Sequence, residues 1–255
     1  VDPLGDDIEA GGTSEFGEPP VAAERGLGTV ALVIFLGSIF GRVLGLVREQ
    51  LAASRFGAGD QIAAFTVADN LNTLVFDLIS SGMLQAALIP VFSAMVVASP
   101  EGQAALRRLT GVLLIVSVAI ASVLSFAGIV FAPTLVRWMT AVGERGNQRD
   151  AAATELAIEN LRIVLPSLGF LAAGTVMIAA LYAVQRPAAP SLGGAARNAS
   201  AVICILLFGS RFGIRVMAIG VLAGAILLAW MQWESLRRAG LQPKLGIDWS
   251  LPELR

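Results

Sequence analysis

The sequence predicts an all-α integral membrane protein with six transmembrane helices. Of its 255 residues, 56% are hydrophobic and only 15% are charged. The mean hydropathy is +0.75, far more apolar than a water-soluble domain. Several apolar runs reach the ~20 residues needed to cross a bilayer. These runs are continuous rather than alternating, which selects helices over a membrane β-barrel.

Composition also removes whole classes of function. A net charge of −1 gives no basic field for nucleic acid. Histidine is absent, which takes away the commonest catalytic base and metal ligand. Cys204 is the single cysteine, so no internal disulfide forms, and its apolar setting reads as a small core residue. The chain shows no nucleophile–base pair, no metal-ligand cluster and no Gly-rich phosphate loop before a helix. It is therefore expected not to be an enzyme and to need no cofactor or metal.

Residues 1–26 are acidic and rich in Gly, Pro and Glu. They lack the basic start and short apolar core of a signal peptide and read as a disordered tail. A six-helix transmembrane lobe is expected over 27–240, followed by a linker over 241–255. The first span covers about 28–52, and Gly57 and Gly59 suit the turn that follows. The second, about 61–98, is unusually polar, with weak points at Ser80-Ser81-Gly82 and Pro90 where a helix can bend. A loop is expected over Ser99–Arg108, then a scaffold helix over 109–136 and a polar connection over 137–151. The fourth span, about 152–185, carries Pro166, which predicts a kink. After the stiff link Gln185-Arg186-Pro187-Ala188-Ala189-Pro190, the fifth span covers about 191–209. Arg197 and Asn198 lie in its first half, with the arginine read as snorkelling to the interface. A turn at Ser210–Arg215 precedes the sixth span, 216–235, which ends in Trp230 and Trp233, residues suited to an interface belt. Six crossings put both ends on one side, and arginine and lysine counts on the two sides tie, so charge does not orient the chain.

The chemistry concentrates at the end of the first span, in Phe40-Gly41-Arg42-Val43-Leu44-Gly45-Leu46-Val47-Arg48-Glu49. A charge at bilayer depth costs roughly 2.5–3.5 kcal/mol on insertion scales, so such a residue faces a bundle interior or a wet cavity. On a helix, Ser38, Gly41, Arg42, Gly45, Arg48, Glu49 and Ala52 share an arc of about 120°. Small residues admit a neighbouring helix or a ligand. Arginine suits phosphate, because its planar fork donates two hydrogen bonds and stays charged. Two readings stand: an anion site in a membrane cavity, or arginines that simply mark the water-exposed helix end. In the second span, Asp69, Thr73, Asp77 and Ser80 recur near every fourth residue and form a stripe like the wall of a hydrated cavity. The aspartates lie about 12 Å apart along the axis, too far for a paired-carboxylate hydrolase. They equally suit ion pairs with Arg42, Arg48 or Arg55 that hold helices together.

The run Gly41-Arg42-Val43-Leu44-Gly45-Leu46-Val47-Arg48, then Arg55-Phe56-Gly57-Ala58-Gly59, then Ala63-Ala64-Phe65-Thr66-Val67-Ala68, resembles the MurJ/MviN family of lipid II flippases. Gly82-Met83-Leu84-Gln85-Ala86-Ala87-Leu88-Ile89-Pro90-Val91-Phe92 continues the likeness. Pro166, Gln185-Arg186, Pro190 and Asn198 are later echoes. The resemblance implies one lobe of an exporter fold of the multidrug/oligosaccharidyl-lipid/polysaccharide superfamily, in the bacterial plasma membrane with a cytoplasmic N-terminus. It implies transport of a polyprenyl-pyrophosphate-linked glycan, the lipid II precursor of peptidoglycan, from the inner to the outer leaflet. Arg42 and Arg48 match the family's cavity arginines and would hold the pyrophosphate headgroup, with Arg55 beside them. Ser38, Gly41, Gly45, Glu49, Asp69, Thr73 and Asp77 would line the cavity. The implied partners are the lipid-linked substrate, membrane lipids, and a second lobe or second copy of the chain, with no nucleic acid. The chain departs from the family pattern where an acidic residue falls on Ala63, an arginine on Phe76 and an acidic residue on Ser81. Rival readings are a flippase for another lipid-linked saccharide, a non-transporting scaffold of a cell-wall complex, and an exporter of organic cations using Asp69 and Asp77.

Overall fold

The structure is a computed structural model that describes residues 21–57, 59–80, 88–94, 100–143 and 151–243. Seven helices are delimited among them: α1 (Val21–Phe56), α2 (Asp60–Ser80), α3 (Pro100–Gly143), α4 (Ala151–Val164), α5 (Ser167–Ala183), α6 (Ala188–Phe212) and α7 (Arg215–Arg238). Residues 88–94 are also helical. α1, α3, α6 and α7 are each long and apolar enough to cross a membrane. α4 and α5 together are long and apolar enough for one further span, bent by 41° at the break between them. Pro166 sits at that break, where it has no N–H to continue the ladder and its ring crowds the preceding turn. The all-α membrane class is therefore the observed one. The second expected span is represented by α2 and by 88–94, with 81–87 outside the described residues.

Several boundaries differ from those read from sequence. α1 is helical from Val21, although the tail was expected to continue to residue 26; residues 1–20 lie outside the description. The loop expected over Ser99–Arg108 is helical from Pro100, a residue favoured in the first turn because its missing N–H would have been unpaired there anyway. At its other end α3 runs on to Gly143, taking in the start of the expected polar connection, of which 144–150 are not described. Pro133 lies inside α3 without ending it. Of the expected linker, 244–255 are not described.

α6 is the hub, packed chiefly on α7 and α1, while α7 also packs on α5, and α5 on α3. α2 rests mainly on α4. α7 is the most enclosed of the four single spans, with half of its apolar window buried, against 11% for α1 and 17% for α3. The outer faces of α1 and α3 carry Phe35, Phe40, Val123, Phe126 and Phe131 exposed, as a lipid-facing surface does. Helices in lipid gain little hydrophobic drive from meeting, so close van der Waals approach holds them together. The α6–α7 seam shows this directly. A Cβ built on Gly220 would lie 2.7 Å from the Ala201 Cα, and one on Gly224 would lie 2.9 Å from the Arg197 carbonyl oxygen. Both obstacles are backbone, which cannot swing aside.

Gly220→Val should therefore destabilise the detergent-solubilised protein by about 1–3 kcal/mol or prevent folding, as overpacking does. Gly194→Ala, on the same seam helix but facing open space, should leave the unfolding midpoint within error. Equal effects in a thermal unfolding assay would contradict this packing.

Candidate functional site

A row of glycines positions the site. Gly37, Gly41 and Gly45 recur every fourth residue and form one stripe along α1. Built Cβ atoms on them would meet the Ser191 carbonyl oxygen at 2.8 Å, the Ala195 nitrogen at 3.2 Å and the Asn198 Nδ2 at 3.4 Å. Asn198 Nδ2 donates to the Gly41 carbonyl oxygen at 2.9 Å, a side-chain bond between two spans. α1 is thus docked on the first half of α6 by backbone proximity, and its register is set by that bond. Gly41 and Gly45, read from sequence as cavity wall, belong instead to this helix–helix seam.

One turn past Gly45 the seam opens. Arg48, on α1, and Arg197, next to Asn198 on α6, line a cavity of about 210 Å³ together with Asp69, Asn72, Thr73, Phe76 and Asp77 of α2. Leu171 of α5 and Val221 of α7 complete its wall. Gly224 leaves room for the Arg197 backbone and Cγ, each 2.9 Å from where a Cβ on that glycine would stand. Arg48 and Asp69 also line a neighbouring opening of about 450 Å³ that includes Glu49 and Asn70. These two side chains therefore stand between the two spaces.

The charges in this cavity are not neutralised by direct contact. Arg48 is 21% exposed at its side chain, and its ion partner is Glu49, with Nη2 to Oε1 at 3.9 Å. That is beyond hydrogen-bond distance. Its Nε is buried and has no hydrogen-bond partner. Among the described residues no ion pair joins Arg48 or Arg197 to Asp69 or Asp77. α2 is held to the bundle by a buried contact, with the Ser167 hydroxyl donating to Asn72 Oδ1 at 3.5 Å. The result is a polar chamber in an otherwise apolar bundle, with Arg48 and Asp69 half-buried and Thr73, Asp77 and Arg197 exposed along it.

The structure brings Arg48, Asp69, Thr73 and Asp77 to one chamber, with Glu49 at the adjoining opening. Arg42 is exposed on α1 and lines neither space. Ser38 is exposed, and its hydroxyl donates to the Ile34 carbonyl at 2.8 Å. Arg55 is exposed too, its Nε and Cδ lying against Gly209 of α6. The residue that sequence reading missed is Arg197, taken there for a snorkelling side chain. The signal was present: Gly193-Gly194-Ala195-Ala196-Arg197 repeats the pairing of small residues with arginine seen in the first span.

The family model for lipid II flippase MurJ matches residues 52–255. A lipid II flippase MurJ of Burkholderia cenocepacia is 25% identical over 213 residues, covering 83% of this chain and 40% of that protein. This chain therefore spans well under half the length of that relative. A solved lipid II flippase MurJ in an inward closed conformation superposes with a TM-score of 0.66 at 20% identity, covering 85% of this chain and 43% of its own. A MOP superfamily transporter from Pyrococcus furiosus, described as having a binding pocket of reverse polarity, superposes with a TM-score of 0.58 at 17% identity, over 86% of this chain and 47% of its own. The fold is the one these transporters share.

A water-filled chamber predicts reactivity, because a thiol attacks as its hydrated thiolate. In a Cys204→Ala background in bilayers, Thr73→Cys should react with N-ethylmaleimide at least about tenfold faster than Val123→Cys, which sits 68% exposed on the outer face of α3. Equal rates would mean the chamber is dry.

Proposed function

The chain belongs to the MurJ family, and from that premise we propose that it is the substrate-gripping lobe of a flippase for a polyprenyl-pyrophosphate-linked glycan, with lipid II as the first candidate. It is a multi-pass protein of the plasma membrane. The observation that carries the reading is Arg48: a guanidinium inside the bundle, its Nε buried without a partner, beside Arg197 in the same chamber. A buried guanidinium N–H without an acceptor is costly, so the chamber gains from an anion that supplies the missing acceptor. A pyrophosphate does so with paired oxygens suited to the arginine fork. Arg42, exposed one and a half turns from Arg48 on α1, meets the headgroup on its way in or out. Arg55 serves the far end of α1, against α6. Residues 27–240 act as the transmembrane lobe and 241–255 as a link to a second lobe or a second copy that closes the other side. The lobe binds and moves its ligand without altering its bonds, and the N-terminus is cytoplasmic.

A second reading rests on Asp69 and Asp77, which face the same chamber as the arginines. Two carboxylates there suit an organic cation. The two readings make opposite demands on the charged residues, so one experiment separates them.

In the complete protein reconstituted in liposomes, Arg48→Ala should slow translocation of a fluorescent pyrophosphate-linked lipid by about 10–100-fold, the equivalent of losing about 1.5–3 kcal/mol of charge-assisted bonding. Arg48→Lys should retain part of the rate, and Arg55→Ala most of it. A wild-type rate for Arg48→Ala would contradict the pyrophosphate reading, and transport of a fluorescent organic cation that is lost in an Asp69→Asn, Asp77→Asn variant would favour the cation reading.

A further inference from the structure

A second charged space lies at the other end of the bundle, away from the Arg48 chamber. There α3 and α6 begin and α5 and α7 end. An open cavity of about 430 Å³ lies between the start of α3 and the ends of α5 and α7, and its polar lining comes from Ser93, Gln103, Gln185 and Arg186. Ala239 and Leu241 close its α7 side, and the Arg107 guanidinium lies beside Gly240, the residue between them.

The backbone at this cavity carries an unusual choice. α5 and α7 both end in the same capping turn. After α5, Arg186 N–H donates to the Leu181 carbonyl and Gln185 N–H to that of Tyr182. After α7, Leu241 N–H donates to the Leu236 carbonyl and Gly240 N–H to that of Arg237. This turn needs a left-handed residue at its corner, a place usually taken by glycine. α7 uses Gly240 at φ +72°, but α5 uses Gln185 at φ +57°. Among the described residues Gln185 is the only non-glycine with positive φ. A strained residue kept at the rim of a cavity points to a use for its side chain.

The charges point the same way. Glu234 accepts from Arg237 Nε at 2.7 Å and from Arg238 Nε at 2.9 Å, which occupies it. Arg107, Arg108 and Arg186 have no carboxylate partner among the described residues. The Arg107 Nε and the Thr110 hydroxyl, one turn apart on α3, are buried without hydrogen-bond partners. The start of α3 and the ends of α5 and α7 border the space, and Arg186 is the charged side chain in its lining. Trp230 and Trp233 lie about one and a half to two turns before the end of α7, the level of an interface belt.

We propose that this cavity binds a phosphate group carrying net negative charge, with Arg186 as its cationic grip, Arg107 beside Gly240 as a second cation, and Gln185 and Gln103 as neutral donors. Basic pockets between spanning helices at headgroup depth are suited to anionic lipids, so a phospholipid headgroup is the favoured source and a soluble phosphate the other. The site is independent of the Arg48 chamber, and its test does not involve transport.

The experiment is thermal unfolding of the purified protein in detergent with added dioleoyl-phosphatidylglycerol, dioleoyl-phosphatidylcholine or inorganic phosphate. A ligand of the folded state raises the midpoint by mass action. Phosphatidylglycerol should raise it and phosphatidylcholine should not. Arg186→Gln should remove roughly half or more of that rise. Gln185→Gly should remove a comparable part while leaving the ligand-free midpoint unchanged or higher, since it relieves the left-handed strain; this separates lost binding from lost folding. Arg237→Gln, outside the cavity, should keep the response. A rise with inorganic phosphate alone would support the site and assign it to a soluble ligand. Equal responses to the two lipids, or equal losses in Arg186→Gln and Arg237→Gln, would overturn it.

Discussion

A guanidinium cannot rest in hydrocarbon, and the inner arrangement of this bundle follows from where Arg48 is allowed to go. Facing lipid it would cost several kcal/mol. Facing the bundle it needs α1 turned so that its charged side meets α6 and α2. The glycine stripe at 37, 41 and 45 permits that turn, because only a helix without side chains there can come so near the α6 backbone. The bond from Asn198 to the Gly41 carbonyl then fixes the register. A shift of one residue would rotate Arg48 by about 100°, out of the chamber.

The same geometry divides labour among the helices. α7 and α5 form the enclosed interior, with little polar surface to hydrate. Gln232, fully buried on α7, still donates to the Ala189 carbonyl of α6 at 3.1 Å and ties those two spans together. α1 and α3 keep apolar outer faces. α2 carries the polar wall and, unlike α1, α3, α6 and α7, is not long and apolar enough by itself to count as a membrane span, because Asp69, Asn70, Asn72 and Asp77 interrupt it. That polarity is tolerable only beside water, which links the composition of α2 to the existence of the chamber. Arg215 on α7 donates to Glu159 on α4 at 2.8 Å, an exposed pair that adds little stability by itself but marks the far end of the bundle.

Much of this was legible in the sequence. Apolar run length located α1, α3, α6 and α7, Pro166 marked the break between α4 and α5, and the Arg–Gly pattern with the aspartate stripe pointed to Arg48, Asp69, Thr73 and Asp77, which line one cavity. The failures have physical causes. Helix ends beyond the hydrocarbon lose the hydropathy signal, so α3 was read as starting near residue 109 although its N-terminal turn begins at Pro100. Gly41 and Arg42 lie on adjoining parts of one arc, and pattern alone cannot tell which part meets a helix and which meets water. That depends on a partner 157 residues away in sequence, Asn198. Arg197 was passed over because an arginine early in a span can reach the interface by bending its stem. The structure places Arg197 at the cavity, where the absence of a side chain at Gly224 leaves room for its backbone and Cγ.

The central claim is that the Arg48–Arg197 chamber takes up an anionic headgroup. Its most direct test is an experimental structure of the complete protein with a polyprenyl-pyrophosphate bound. The account predicts phosphate oxygens within hydrogen-bond distance of both guanidinium groups. A headgroup held elsewhere, with the arginines closed onto Asp69 and Asp77 and no hollow between them, would contradict it.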